Sequence, residues 1–392
     1  MKSDWHNSII DDVCLLVTDG AHNSPKSTQN GEYMASVKDF TEYGFNFSTC
    51  RKISREDYLK LEKQGCVPNI GDVLVGKDGA RYFEDIIIYR QLERPALLSS
   101  IAILRVKPEI ITPEFLYYTL KSPTVKKDVR DNYGSGSAIP RIVLKDFKRM
   151  PISYPSIEVQ KKVTSICEVL DEKINLNNHI NENLLQQAGA VFNKFYDESP
   201  NKQLFTSLIS VLGGGTPKTG NPDFWDGPIP FFTPKDVGAP YTFQTEKYIT
   251  ESGLTHCNSR LYQKDTTFVT ARGTVGKVSL AATPMAMNQS CYALASETVD
   301  PLLVYFYVLK AVASLKHKAS GAVFDALVTR DFDSETINIL SDDDSKKVLS
   351  IIKPMMDTIH NNSQENMRLA ALRDSLLPKL MSGELDVSEL DI

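Results

Sequence analysis

Apolar residues recur at intervals of three and four along residues 157–196 of the chain. This spacing places the apolar side chains on one face of a helix. Ordinary globular helices run about 8 to 20 residues, so a periodic segment of this length predicts a coiled coil or a spacer helix. The positions that form the face are Val163, Ile166, Leu170, Ile174, Ile180, Leu184, Val191 and Phe195.

The periodic segment occurs twice in the chain. Lys161-Lys162-Val163 returns as Lys346-Lys347-Val348, which is an offset of 185 residues. A domain-sized period predicts a duplicated unit, made of a globular part and a long helix, and excludes a solenoid of short repeats. Further matches at the same offset are Asp146-Phe147 with Asp331-Phe332, and Ser135-Gly136 with Ser320-Gly321.

Short apolar runs alternate with turn signals in the stretch before each long helix. Val73–Val75 and Leu97–Val106 are typical of strands. Thr112-Pro113 is typical of a helix start, because a first-turn N–H lacks a partner within the helix and proline has none to lose. The pattern predicts a duplicated α/β (α+β) fold. Its predicted domains are residues 1–156 (globular), 157–199 (long helix), 200–341 (globular) and 342–392 (long helix).

Composition narrows the class of protein. A net charge of −5 and a pI near 5.8 argue against indiscriminate nucleic-acid binding by the whole surface, although basic residues could still line one face. No apolar run approaches the roughly 18 residues of a membrane span, and the N-terminal sequence MKSDWHNSII lacks the basic flank and apolar core of a secretory signal. The six cysteines form no CxxC and no zinc or disulfide spacing, which predicts reduced thiols in a cytoplasmic protein.

Several catalytic motifs are approached but not completed. GGGTPKT has Pro217 where a Walker A loop needs glycine, and GTVGK is followed by Val278 where magnesium needs Ser or Thr. The segment from Asn221 to Phe224 (NPDF) resembles the NPPF loop of adenine amino-methyltransferases, but Asp stands at its third position and no cofactor-binding glycine motif accompanies it. The sequence therefore predicts no catalytic residue, no metal site and no cofactor in this chain.

Two stretches of the chain resemble a known family. The segment from Gly214 to Asp236 (GGTP…NPDFWDGPIPFFTPKD) looks like the opening of a target-recognition domain. The segment from Leu372 to Val387 (LRDSLLPKLMSGELDV) is similar to the C-terminal conserved region of the specificity (S) subunit of type I restriction–modification enzymes. The resemblance covers essentially the whole chain, and the duplicated architecture agrees with it.

The resemblance implies recognition without catalysis. Each globular half would be a target-recognition domain that reads one part of a split site in double-stranded DNA, and the two long helices would pack antiparallel as a spacer with pseudo-two-fold symmetry. Two modification subunits, which bind S-adenosylmethionine and methylate adenine, would dock on this scaffold. A restriction subunit driven by ATP, with magnesium, would join to translocate and cut unmodified DNA. A 40-residue helix is about 60 Å long, or one to two turns of DNA at about 34 Å each.

The second copy departs from the family pattern at one place. Residues 341–345 (SDDDS) stand where residues 155–160 (PSIEVQ) stand in the first copy. The proline and glutamine that precede the first long helix are therefore missing before the second, so we expect the two helices to begin differently.

Base recognition is expected in the loops in which the two copies differ. Among the cations of these loops, arginine commonly reads guanine, while lysine more often holds phosphate. Ordinary solvated charge is an equally good interpretation of any one of these side chains. Lys235 has a counterpart, Lys38, in the first copy, which favours a role in the fold or at the DNA backbone. The candidates are Lys26, Lys77 and Arg81 in the first half and Lys218, Lys235, Arg272 and Lys277 in the second.

The long helices also carry a polar pair. Asn177 lies between Ile174 and Ile180, and its copy Asn362 lies 185 residues later. If the helices pack antiparallel about a pseudo-two-fold axis, these two side chains are expected to meet in the seam and fix its register. The alternative is that both amides face solvent.

Two other functions remain open at this point. One is a two-headed protein-binding scaffold without DNA recognition. The other is an orphan N6-adenine methyltransferase, which the missing methyl-donor motif disfavours.

Overall fold

The computed structural model describes residues 5–79, 81–133, 140–238, 240–318, 326–387 and 390. The chain forms two compact units: unit 1 comprises residues 1–174 with 368–392, and unit 2 comprises residues 175–367. Each unit therefore contains one globular part and a piece of both long helices. The repeated Ser-Gly pairs at 135–136 and 320–321, with the glycine loop around the first of them, lie outside the described residues.

Unit 1 builds its globular part from short strands and helices. They are β1 His6–Ile9, α1 Ile10–Val13, β2 Cys14–Asp19, β3 Glu32–Ala35, a 3-10 turn Val37–Asp39, β4 Phe40–Thr41, β5 Gly44–Phe45, β6 Arg51–Ile53, α2 Arg55–Lys63, β7 Val73–Gly76, β8 Ile86–Ile88, β9 Ala96–Leu97, β10 Ile101–Val106, α3 Pro113–Lys121, α4 Pro123–Asn132, α5 Leu144–Arg149 and β11 Pro151–Tyr154. The first long helix, α6, then runs from Ile157 to Glu198.

The central sheet of unit 1 is antiparallel, in the order β2-β10-β7-β8. Its two inner strands are apolar and buried, as their sequence predicts. A second sheet has the order β6-β3-β9, and β1 pairs with β11. Helix α3 begins as predicted: the Thr112 hydroxyl accepts the Phe115 N–H at 3.1 Å, and Pro113 occupies the first turn.

Unit 2 repeats this plan. Its elements are β12 Lys202–Leu204, α7 Phe205–Leu208, β13 Ser210–Gly213, a 3-10 turn Pro222–Phe224, β14 Trp225–Phe232, β15 Tyr241–Thr242, β16 Lys247–Ile249, α8 Glu251–Thr255, β17 Thr267–Thr270, β18 Val278–Ala281, β19 Ala286–Met287, β20 Cys291–Ala295, α9 Pro301–Lys318, α10 Thr329–Asp333 and β21 Thr336–Asn338. The second long helix, α11, runs from Asp342 to Met381.

Sheet order confirms the duplication. The order β13-β20-β17-β18 in unit 2 matches β2-β10-β7-β8 in unit 1, and β16-β14-β19 matches β6-β3-β9, including the one parallel pair in each. Unit 2 adds β15, parallel to β18, where unit 1 has the β4–β5 hairpin. The predicted duplicated fold with two long helices is confirmed.

The long helices run antiparallel in unit 2, since residues later in α6 contact residues earlier in α11. Asn177 contacts Asn366, and Asn181 contacts Asn362. Most of the predicted apolar face of α6 is wholly or partly buried, but Ile180 is 37% exposed. Asn177, at 1% exposed, is among the most buried residues of the helix, so the seam at this level is polar.

The two helices begin differently, as expected. The Gln160 side chain is fully buried and bonds the Thr112 N–H and the Ile110 and Pro155 carbonyls. Helix α11 has no such glutamine, and the Ser341 hydroxyl instead accepts the Asp344 N–H at 3.2 Å. A serine cap and the acids of the first turn stabilise that helix end by themselves.

Two further expectations concern the whole chain. Among the described residues, no helix is long and apolar enough to cross a membrane. All six cysteines are free thiols, four of them buried, and burial raises the pKa of Cys14, Cys167 and Cys291 to about 12.

Candidate nucleic-acid interface

A short capped turn presents one lysine in each unit. In unit 2 the Asp236 carboxylate accepts the Thr233 N–H at 2.7 Å and the Thr233 hydroxyl at 2.6 Å, and it also accepts the Glu246 N–H at 2.7 Å. These bonds fix the turn, whose exposed residue is Lys235. The Lys235 ammonium lies 3.6 Å from the Glu246 carboxylate, in an exposed ion pair that contributes little stability.

The equivalent turn of unit 1 has the same two bonds between its aspartate and its first residue. The Asp39 carboxylate accepts the Ser36 N–H at 2.8 Å and the Ser36 hydroxyl at 2.9 Å, and its other oxygen accepts the Thr49 hydroxyl at 2.8 Å. Lys38 is exposed at the same place in this turn. The shared Pro/Val-Lys-Asp sequence is thus explained by a rigid turn with an outward lysine.

The β17–β18 loop carries Arg272 and Lys277, both exposed. Gly273 and Gly276 of this loop have φ of +79° and +71°, a conformation that favours glycine. The Thr274 hydroxyl donates to the Pro234 carbonyl at 3.4 Å, so the loop lies beside the Lys235 turn.

The loop with Lys218 is connected to the β17–β18 loop through one intermediate segment, residues 289–290. The Thr216 hydroxyl bonds the Gln289 side chain, and the neighbouring Ser290 carbonyl accepts the Ala271 N–H at 2.8 Å. Lys218 is exposed, and its carbonyl accepts the Trp225 indole N–H at 3.4 Å. Hydrogen bonds therefore connect the loops that carry the four predicted cations of unit 2, and we call this group of loops the unit 2 edge.

The unit 2 edge suits the DNA backbone chemically. Lys218, Lys235 and Lys277 provide exposed ammonium groups for phosphate, and Arg272 provides the planar guanidinium that pairs with guanine. The groups of His, Cys, Asp and Glu that a metal ion needs are not found among the described residues.

Unit 1 places its candidates less uniformly. Lys26 is exposed on a loop that Arg51 holds, since the guanidinium donates to the Pro25 carbonyl at 2.7 Å and to the Ser24 hydroxyl at 2.5 Å. Arg81 is exposed but bonded to Asp85 at 2.7 Å, which raises the pKa of the guanidinium.

Lys77 is not on the surface. Its side chain is only 8% exposed, and its ammonium lies 3.4 Å from Asp19 and 3.5 Å from Asp78. In unit 2 the residues at the matching positions, Ala271 and Gly213, carry no charge. Lys77 is therefore an internal ion-pair residue of unit 1, because a buried ammonium needs its carboxylate partner and cannot reach phosphate.

The asparagines of the helix seam are bonded, but not to each other. The Asn177 amide donates to Asn366 at 2.8 Å and to Glu365 at 2.7 Å, while the half-buried Asn362 amide donates to Asn181 at 2.9 Å. The prediction that Asn177 and Asn362 meet was wrong. So was the alternative that both face solvent.

The duplication explains the actual partners. Shifted by 185 residues, the Asn177–Asn366 bond becomes the Asn362–Asn181 bond. A residue faces its own copy only where the two-fold axis crosses the helices. The two bonds place this crossing midway between 177 and 181 on α6 and midway between 362 and 366 on α11, at residues 179 and 364. Asn177 lies two residues before that point, so it faces the copy of Asn181. A second related pair of bonds joins Asn366 to Asn178 at 2.8 Å and Asn181 to Ser363 at 3.3 Å.

Each globular part is joined to its helix pieces by different chemistry. In unit 1 the Tyr118 hydroxyl donates to Asp171 at 2.8 Å, and Arg373 bonds the same carboxylate at 2.5 Å. Burial, with the nearby Asp171 charge, raises the pKa of Tyr118, and burial lowers the pKa of Lys121 on the same helix. In unit 2 the contact is aromatic, with the Phe192 and Phe306 rings stacked at 5.2 Å.

Sequence reasoning missed several residues of these sites. Arg51, which begins strand β6, and Arg141, which lies in the segment before α5, were not selected. Asn181 and Asn366 were also missed, although the 185-residue offset relates them as it relates Asn177 and Asn362. In an antiparallel pair with two-fold symmetry, a residue two positions before the axis faces a residue two positions after it on the other helix. Applying this rule to Asn177 and Asn362 would have identified Asn366 and Asn181.

Comparison with known proteins identifies the family. A family model described as "Type I restriction modification DNA specificity domain" matches residues 2–186 and again residues 196–371. The type I restriction enzyme MjaIX specificity subunit of Methanocaldococcus jannaschii is 24% identical, over 71% of this chain and 71% of that protein. The type I restriction enzyme HindI specificity subunit of Haemophilus influenzae is 22% identical, over 80% of this chain and 86% of that protein.

A solved structure has the same fold. The S subunit of a type I restriction–modification system from M. genitalium matches with a TM-score of 0.56 at 15% identity, over 97% of both chains. The two family matches coincide with the two copies of the repeat and cover most of the chain. The chain therefore belongs to the type I restriction–modification DNA specificity family, and its role is that of a DNA-recognition subunit rather than a catalytic one.

Proposed function

We propose that this chain reads a bipartite, asymmetric site in double-stranded DNA, with one part of the site read by each unit. The observation that carries the proposal is the pair of matched frames with unlike loops. Both units have the capped lysine turn, whereas the neighbouring loops carry different side chains. A shared backbone contact with unlike base contacts is what reading two different half-sites requires.

The long helices would set the spacing between the half-sites. Helix α6 has 42 residues and α11 has 40, and a helix of this size is about 60 Å long. The bonded asparagines of the seam hold one register, because sliding the helices would separate the buried Asn177 amide and the half-buried Asn362 amide from their partners.

Catalysis would belong to partner subunits. We propose that two modification subunits dock on the helices, and that a restriction and translocation subunit joins the complex. S-adenosylmethionine, ATP and magnesium would be bound by those partners and not by this chain. A cytoplasmic location follows from this role, because the DNA to be modified is there.

The test is to produce the full chain with the modification subunits of its system in a host that lacks adenine methylation, and to sequence the methylated bases. We expect one bipartite motif with two unlike halves, and no methylation when this chain is left out. The same assay with this chain alone is expected to give no methylation and no cleavage.

Two outcomes would overturn the proposal. Methylation by the isolated chain would make it an orphan methyltransferase. An unchanged methylation pattern with and without the chain, together with stable binding of the modification subunits, would make it a protein-binding scaffold.

A further inference from the structure

An isolated backbone bridge occurs at the same place in both units. In unit 1, Asp78 after strand β7 pairs antiparallel with Arg141. In unit 2, Arg272 after strand β17 pairs antiparallel with Ala326. The residues 141 and 326 are separated by the 185-residue offset of the duplication. We call these two pairs the bridge positions.

The main chain around the bridge is the same in both units. The Ile142 N–H donates to the Lys77 carbonyl at 3.0 Å, and the Leu327 N–H donates to the Ala271 carbonyl at 2.9 Å. Ile142 and Leu327 are both buried, at 0% and 2% exposed. The backbone frame is thus fixed by buried apolar neighbours and main-chain bonds, which do not depend on the side chains at the bridge positions.

The side chains on this fixed frame differ in charge. Unit 1 has an acid and a base, Asp78 and Arg141, while unit 2 has a base and a methyl group, Arg272 and Ala326. Both arginines are exposed, and the side chain of Asp78 is 29% exposed, with its Oδ1 atom 3.5 Å from the Lys77 ammonium. The bridge therefore offers unlike hydrogen-bonding groups at equivalent points.

The bridge lies beside the capped lysine turn in each unit. In unit 2, Gly273 follows Arg272 in the chain and lies beside Pro234, which precedes Lys235. A Cβ built on Gly273 would be 3.8 Å from the Pro234 side chain. In unit 1, Gly76 stands two residues before Asp78 and lies beside Val37, which precedes Lys38. A Cβ built on Gly76 would be 3.5 Å from the Val37 side chain. A lysine that holds phosphate would therefore fix the neighbouring bridge side chains relative to the DNA.

We propose that the bridge positions determine one base pair of each half-site, with Arg141 and Asp78 acting together in unit 1 and Arg272 acting alone in unit 2. This inference rests on the proposed function. Arginine donates two hydrogen bonds to guanine, and aspartate accepts one from the amino group of cytosine. Unit 1 thus presents a donor and an acceptor that match a G·C pair, and unit 2 presents a donor for guanine.

The experiment measures the methylated motif of the full complex with variants of this chain. Arg141→Ala is expected to lower discrimination at one position of one half-site by about 5- to 150-fold and to leave the other half-site unchanged. Arg141→Lys is expected to behave like Arg141→Ala, because lysine keeps the charge but cannot donate the paired bonds. Lys148→Ala is the matched control, since Lys148 is a cation of the same unit that pairs with Asp11.

A double variant tests whether the bridge side chains of unit 2 change the base preference when they are placed in unit 1. Asp78→Arg with Arg141→Ala gives unit 1 the bridge side chains of unit 2, and the preferred base at that same position is expected to change. Thermal unfolding close to that of the wild type verifies that each variant folds.

Three outcomes would overturn the inference while leaving the proposed function intact. One is a motif identical to wild type in Arg141→Ala and in the double variant. Another is an even loss over all sequences that Arg141→Lys restores, since this is the behaviour of a phosphate contact. The third is a change in both half-sites. Failure of the proposed function itself would appear in the wild-type complex, as the absence of any bipartite motif.

Discussion

Lys235 has the geometry of a phosphate contact, because a rigid turn holds it outward and its copy Lys38 is held the same way in the other unit. Lys235→Ala is expected to weaken DNA binding about equally for all sequences. The slope of log K against log salt is expected to fall in magnitude by about one. Binding titrations at several salt concentrations measure both quantities. Lys202→Ala, which removes an exposed lysine of strand β12, should change neither.

Asp265 is a half-buried acid in unit 2 whose backbone is left-handed, with φ of +66°. Burial raises the pKa of its carboxyl, and its Oδ1 atom has no hydrogen-bond partner among the described residues. Because the folded state holds the proton more tightly than the unfolded state, the wild type loses stability as pH rises from the unfolded pKa through the folded pKa. Asp265→Asn removes this loss, and asparagine tolerates a left-handed backbone.

The variant is therefore expected to be more stable than wild type at pH 7 and to lose this advantage near pH 4, as measured by urea unfolding at both values. Asp226→Asn is the matched control, because Asp226 also has a left-handed backbone, with φ of +58°, but is exposed. An equal effect of the two variants, or an advantage that does not depend on pH, would contradict a raised pKa of the Asp265 carboxyl as the cause.

Single residues were the least predictable level of this molecule. Lys77 looked like a DNA contact because it follows a strand in a loop that differs between the copies. Its true partner Asp19 is 58 residues away in the chain, and only the pairing of strands β2, β10 and β7 brings the two together. Lys38 and Lys235 differ from Lys77 in that the duplication marks them as shared positions, and both are exposed on equivalent capped turns.

Elements were predicted far better. The apolar period gave a helix over residues 157–196, and α6 runs from Ile157 to Glu198. A period summed over many residues outweighs any one exception, such as the exposed Ile180. The pairing within the seam was not predictable in this way, because it depends on where the symmetry axis crosses the helices.

The asparagine seam leads to a prediction at the scale of the element. Replacing Asn177 and Asn366 together by Leu removes their mutual bond and their bonds to Glu365 and Asn178, and it adds apolar contact along the seam. The chain is expected to become more stable while its helix register becomes less exact. Thermal unfolding measures the first effect. Methylation of DNA libraries whose half-sites are separated by different numbers of base pairs measures the second, as a broader range of accepted spacings.

Asn183→Leu provides the control for this pair, since Asn183 is exposed on the same helix. The symmetry-related pair, Asn362 and Asn181, is expected to respond in the same direction when both are replaced by Leu. If stability and spacing stayed at wild-type values in both double variants, the seam would have no role in register.

At the scale of the whole molecule, the duplication predicts that the two readers are separable. The globular part of unit 1 ends with strand β11, which pairs with β1, so a graft has to move both strands together. Residues 1–156 satisfy this condition and end directly before α6. Gln160, Asp171 and Arg373 stay behind in such a graft, and the donor has to supply the Thr112 and Tyr118 positions that bond to them.

Replacing residues 1–156 by those of a relative that keeps these contacts is therefore expected to change one half of the methylated motif and to leave the other half and the spacing unchanged. The physical reason is that unit 2, with its edge cations and its seam asparagines, is untouched by the graft. Sequencing of methylated adenines in cells that produce the chimaera with the modification subunits provides the measurement. The reverse graft of residues 200–341 is the control and should change only the other half. A chimaera in which both half-sites changed together would show that the two units do not read DNA independently.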